Sequence, residues 1–141
     1  MTTVIEDNQL NAELQELYLL SKDWISDIEF LERDLDFLKK LFGETFSPLV
    51  QKDNYELIAD ILINTAKIDK TQVSLKIDIL NYLHNLEQLI NNCDQSFYLN
   101  LLETHTKLEQ KLRTLILDFK AVKKIVFDFA KEEIKKEDTY L

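Results

Sequence analysis

From Leu10 to Phe42 apolar residues recur alternately four and three positions apart: Leu10, Leu14, Leu17, Trp24, Ile28, Leu31, Leu35, Leu38 and Phe42, with Ser21 the one polar interruption. A 3.5-residue repeat held over this distance puts one apolar stripe along a straight helix and demands a partner helix to cover it. The pattern predicts a first helix over about residues 8–41, with Thr3-Val4-Ile5-Glu6, Asp7 or Asn8 as the start signal. Gly43 supplies a C-terminal stop. A helix of roughly 33 residues reaches ~50 Å. Glu29 with Arg33, and Asp36 with Lys40, have the spacing to pair across one turn of it.

Two further rows follow. Ile58, Ile61, Thr65, Ile68, Gln72, Leu75, Ile79, Tyr82, Leu86, Leu89 and Cys93 predict a second helix over 54–92, opened by Asp53-Asn54-Tyr55-Glu56. Thr65 and Gln72 form polar layers of the kind that fix register. Asp69-Lys70-Thr71-Gln72 could cap a break, and one continuous helix is the preferred reading. Tyr98, Leu101, His105, Leu108, Leu112, Leu115, Phe119, Val122, Val126 and Phe129 predict a third helix over 96–136. The five-residue step from Cys93 to Tyr98 would throw a continuous stripe off its face, so the chain must turn near Asn91-Asn92-Cys93-Asp94. Residues 43–53 form the other connection, where Ser47-Pro48 can start a short turn.

Three long helices on short connections run up, down and up, each antiparallel to the next. The expected fold is all-α: an elongated antiparallel three-helix bundle with heptad, coiled-coil-like seams, occupying 1–141 as a single domain with frayed ends at 1–7 and 137–141. Dimerisation could complete it. Levelling the first and third helices sets Lys123 and Lys124 beside Leu31 and Glu32, with Asp27 and Asp34 a turn to either side.

The three rows leave a second stripe unused. Ala59, Ile63, Ala66, Lys70, Val73, Ile77, Leu80 and His84 are again spaced four and three apart, on the second helix and away from its first row. Phe30 and Phe37 add an apolar pair outside the row of the first helix. A helix in a three-helix bundle needs one apolar stripe and leaves its far face wet. A helix apolar on two faces is either covered on both sides or presents a binding surface. The covering could come from a connection or the N-terminus folding over this face. Association, with a second copy or with a helix of another protein, is the sharper expectation, and Phe30, Phe37, Ile63, Val73, Ile77 and Leu80 are its candidate interaction residues.

Composition agrees with this picture and narrows the partners. One Gly and one Pro in 141 residues exclude a turn-rich sheet fold. The net charge of −9 is uneven: residues 1–60 carry 14 acidic and 5 basic side chains, and the remainder carry 12 of each. An acidic N-terminal part repels phosphate backbones and anionic lipid, so neither nucleic acid nor a membrane is the expected partner. No apolar run approaches the ~20 residues of a membrane span. The start shows no signal peptide, and Cys93 alone cannot form an internal disulfide; both fit a cytoplasmic protein.

Candidate chemistry is sparse. His105 occupies a row position and reads as a core histidine; His84 lies on the second stripe. There is no Glu-x-x-His pair of the kind that di-iron bundles use, only a solitary His84-x-x-Glu87 running the other way. Asn85-Leu86-Glu87-Gln88 lacks the lysine and small residue that follow a phosphotransfer histidine. Cys93, beside Asp94 at a helix C-terminus, is disfavoured as a thiolate and reads as filler. Trp24 reads as core, and Asp23, Asp27, Asp34 and Asp36 diverge around their helix. Lys120, Lys123, Lys124, Lys131, Lys135 and Lys136 read as partners of the acidic first helix. No catalytic residue, metal or cofactor is implied. The expectation is a non-enzymatic interaction or assembly module. The alternative is a ligand-binding or sensor domain lined by His105, Tyr82 and either Thr65 or Gln72.

Overall fold

A computed structural model describes residues 3–46, 55–91 and 98–140, with side chains described over 9–43, 55–90 and 98–132. The Ser47-Pro48 turn, the Asp53 cap, the Asn92–Asp94 connection and Cys93 lie outside the described residues. Among the described residues three α-helices make up the fold: α1 (Thr3–Lys40), α2 (Tyr55–Asn91) and α3 (Tyr98–Tyr140). They pack against one another as an all-α three-helix bundle.

α1 does not stop at Gly43. It passes into a π-helical turn over Leu41–Phe46, and no residue described, Gly43 included, has a positive φ. A Cβ at Gly43 would meet nothing within 4 Å, so the glycine serves neither a left-handed cap nor a close approach there. In α2, Asp69-Lys70-Thr71-Gln72 lies inside one unbroken helix, because the Asp69 side chain turns outward to Lys39 rather than back onto its own backbone.

The chain divides into two compact halves: Met1–Glu29 with Val73–Arg113, and Phe30–Gln72 with Thr114–Leu141. In the first half, α1 and α2 run antiparallel: Tyr18 Oη donates to Glu87 Oε1 (2.9 Å), and Glu29 lies 3.9 Å from Lys76. α3 runs with α1, since Glu13 bonds Tyr98 and the Trp24 ring lies tilted against His105. In the second half, Lys39 meets Asp69 at 2.7 Å, and α1 again runs with α3. There Asp34 accepts from Lys123 (2.8 Å) and Phe42 lies 6.3 Å from Phe129, ring centre to ring centre. Of the acids expected near Lys123 (Glu32 level with it, Asp27 and Asp34 a turn to either side), Asp34 accepts its hydrogen bond. Its ammonium also lies under 6 Å from the rings of Phe119 and Phe127. These ion pairs are half-exposed and each contributes about 0.2–1 kcal/mol; they choose neighbours more than they hold the fold.

Burial does the holding. Every described member of the three rows is buried except Leu17, Ile58, Leu89 and Tyr98, which are partly so. Ser21, the apparent gap, is fully buried and donates to the Leu17 carbonyl four residues earlier (2.7 Å). Thr65 uses the same device toward Ile61 (2.6 Å). A small hydroxyl satisfied by its own helix keeps its place in an apolar row at little cost. Leu83 and Ala130 are buried as well, each beside a row residue, which widens the apolar face there. Gln72 is different: it is 1% exposed and its Oε1 has no hydrogen-bond partner. A buried orphan oxygen costs more than an apolar group of the same shape.

Two substitutions separate these contributions. Leu35→Ala, at a fully buried site, is expected to lower unfolding stability by about 2–5 kcal/mol. Gln72→Leu should raise it by on the order of 1 kcal/mol. Urea unfolding followed by circular dichroism measures both, and a destabilised Gln72→Leu would mean that its amide bonds are worth more than its orphan oxygen costs.

Candidate functional site

Two features stand out from the ordinary core: a polar cluster inside the first half, and the outward face of α2.

The cluster takes one ring from each helix. Trp24 of α1 lies over the His105 imidazole of α3 (4.5 Å between centres, 37° between planes), and Tyr82 of α2 closes the third side. Tyr82 Oη and His105 Nδ1 are 3.0 Å apart in a buried hydrogen bond. Burial pushes the Tyr82 phenol well above its usual value, with the Ser21 hydroxyl a smaller opposing influence. Burial also holds His105 below its ordinary 6.5, opposed by the nearby Glu109 carboxylate. Both groups are therefore neutral near pH 7. The arrangement that satisfies both has the phenol donating to Nδ1 while Nε2–H points toward Glu109 Oε2, 3.9 Å away.

Thr65 and Gln72 belong to the other half of the chain. Among the described residues, no three His, Cys, Asp or Glu side chains gather in a way that could hold a metal ion.

On α2 the second stripe is exposed along its length. In the second half it comprises Ala59, Ile63, Ala66 and Lys70; in the first, Val73, Ile77, Leu80 and His84. The larger members Ile63, Val73, Ile77 and Leu80 are 47–55% exposed, and Phe30 and Phe37 are 65% and 58% exposed. Leu19, Leu99 and Leu117 are as open as these, so exposure alone distinguishes nothing. Periodicity does: the α2 residues form a row, and the others do not.

Helical geometry divides the candidate residues. In the second half, α1 meets α2 through Lys39 and α3 through Asp34. Phe30 and Phe37 lie beyond Asp34, on the α3 side of α1, whereas Ile63 lies opposite the buried row of α2. In the first half, Val73, Ile77 and Leu80 extend outward from the flank on which Lys76 reaches Glu29. Within the second half, the phenylalanine pair lies on a different side from Ile63. Only a row-by-row reading of the flanks, which the ion pairs supply, separates them.

Comparison with family models, curated proteins and solved structures finds no match to this chain. Among the described residues no helix is long and apolar enough to cross a membrane.

The cluster makes a pH prediction. A histidine whose folded pKa is depressed takes up its proton more readily in the unfolded chain. Stability is then complete above about pH 6.5 and falls as the pH drops below it, until His105 also titrates in the folded state. Urea midpoints at about pH 7.5 and 5.5 should fall more steeply for the native chain than for His105→Gln. Equal slopes would show that His105 is not held neutral.

Proposed function

We propose that this protein is a non-enzymatic interaction or assembly module that works through the outward apolar face of α2, in the cytoplasm. The observation carrying this reading is the row itself. Four-three spacing is what a helix needs to line up against another helix, and α2 has already used one such row inside the bundle. Exposed isoleucine, valine and leucine on such a row lose nothing if left wet by accident, but their alignment has no use in a bundle whose far faces are solvated. The polar cluster, by contrast, answers its own hydrogen-bonding needs between Tyr82 and His105, as a core network does.

An aspartate at the centre of the row should abolish association without touching the core. Ile77→Asp is expected to retain the helical circular dichroism of the native chain and to lose the proteins, or the second copy, that a tagged native chain retains. Leu117→Asp, at an exposed apolar position of α3, is the control and should lose nothing. Unchanged recovery with Ile77→Asp would refute the reading, and collapse of the helical signal would make the face ordinary core.

A further inference from the structure

The outer row of α2 carries a pattern that complements itself, and we propose that its partner is the same row of a second copy, packed antiparallel about a twofold axis level with Thr71 and Gln72. This rests on the reading of α2 as an interaction face and adds to it the identity and direction of the occupant.

Three observations on α2 support it. First, both small side chains of the row meet large ones when the row is laid on its own reverse. With the axis at that level, Ala66 faces Ile77 and Ala59 faces His84 of the other copy, each small side chain opposite a larger one. Ile63 faces Leu80, and Lys70 faces Val73. Alternation of small and large across facing layers fills space without voids. Second, the one charged member of the row opposes every parallel arrangement in register. Parallel packing would set Lys70 on Lys70 and Ala66 on Ala66, pairing like charges in one layer and leaving a gap in another. Antiparallel packing lays the Lys70 stem over Val73 and lets the ammonium reach water.

Third, charge on the flanks is complementary in this register. In antiparallel helix pairs each flank meets the same flank of its partner. Asp69 then lies near Lys76 of the second copy, Lys67 near Ser74 and Asp60 near Asn81, with no like-charge pair among them. Asp69 and Lys76 already pair with Lys39 and Glu29 of α1, so the contact would join two ion pairs into a network. α2 is better able than α1 to approach its own copy. It carries five acidic and three basic side chains, against ten and four on α1. A closed twofold contact of this kind is self-complementary and stops at two.

The test uses the full chain with Cys93→Ser, so that no native thiol remains. Ala66→Cys and Ile77→Cys chains, carrying tags of different length, are co-expressed and mildly oxidised. The antiparallel contact brings residue 66 of one copy to residue 77 of the other, within the 4.4–6.8 Å between Cα atoms that a disulfide spans. The mixed disulfide should exceed either homodisulfide by at least about tenfold. Homodisulfides in excess, or a dimer that forms no cross-link, would overturn the antiparallel register.

Sedimentation equilibrium of the untagged native chain supplies the second arm. A mass of twice 16.7 kDa, reduced to 16.7 kDa by Ile77→Asp, is expected. A monomeric native chain overturns the self-pairing. If Ile77→Asp then still loses a retained protein, the interaction face stands without a second copy; if it loses nothing, both readings fall.

Discussion

An apolar row that recurs every 3.5 residues can be taken out of water only along the flank of another helix, and each helix of this chain carries one. The fold follows from satisfying all three rows together. Burial along them supplies the stability, at roughly 25 cal/mol per Å² of apolar surface removed from water. The ion pairs Lys39–Asp69, Lys76–Glu29 and Lys123–Asp34 lie on the margins, where solvent screens them. What they contribute is discrimination: the acidic α1 finds a lysine on each neighbour, and a misaligned neighbour would face like charges.

Polar residues inside the rows divide by how they are satisfied. Ser21 and Thr65 bond the carbonyl one turn back, and Ser21 also hydrogen-bonds Tyr82 across helices. Tyr82 and His105 satisfy one another across helices, and Trp24 covers them, so that layer specifies which faces meet. A hydrogen bond between two helices has a single good register, whereas leucine against leucine tolerates several. Gln72 is the costly member, with an oxygen left unpaired at a site closed to water. Its position in the row, rather than its bonds, is what the core uses.

The outer face of α2 carries a second apolar row. Solvated far faces are normally polar, and this one repeats the inner pattern with smaller residues and one lysine. Small residues in such a row allow close approach of another helix, and they keep the exposed apolar area modest while the face is unoccupied. α1 is strongly acidic, while α2 is nearly balanced.

The sequence by itself determined the helices and their inner faces, because a helix row depends only on spacing along one chain. Ile28, Leu31 and Leu35 could be placed in the core from periodicity alone, as could His105. The outer row of α2 was legible on the same ground. The end of α1 was legible to within a residue, at Lys40, but its cap was not: Gly43 reads as a stop, yet a glycine permits a left-handed residue without requiring one, and the chain continues into a π turn instead. Nor could spacing say which acid Lys123 would reach, that Tyr82 would bond His105, or that Phe30 and Phe37 sit on the α3 side of α1. Those depend on the rotation and level of one helix against another, which packing between rows decides and no single row contains.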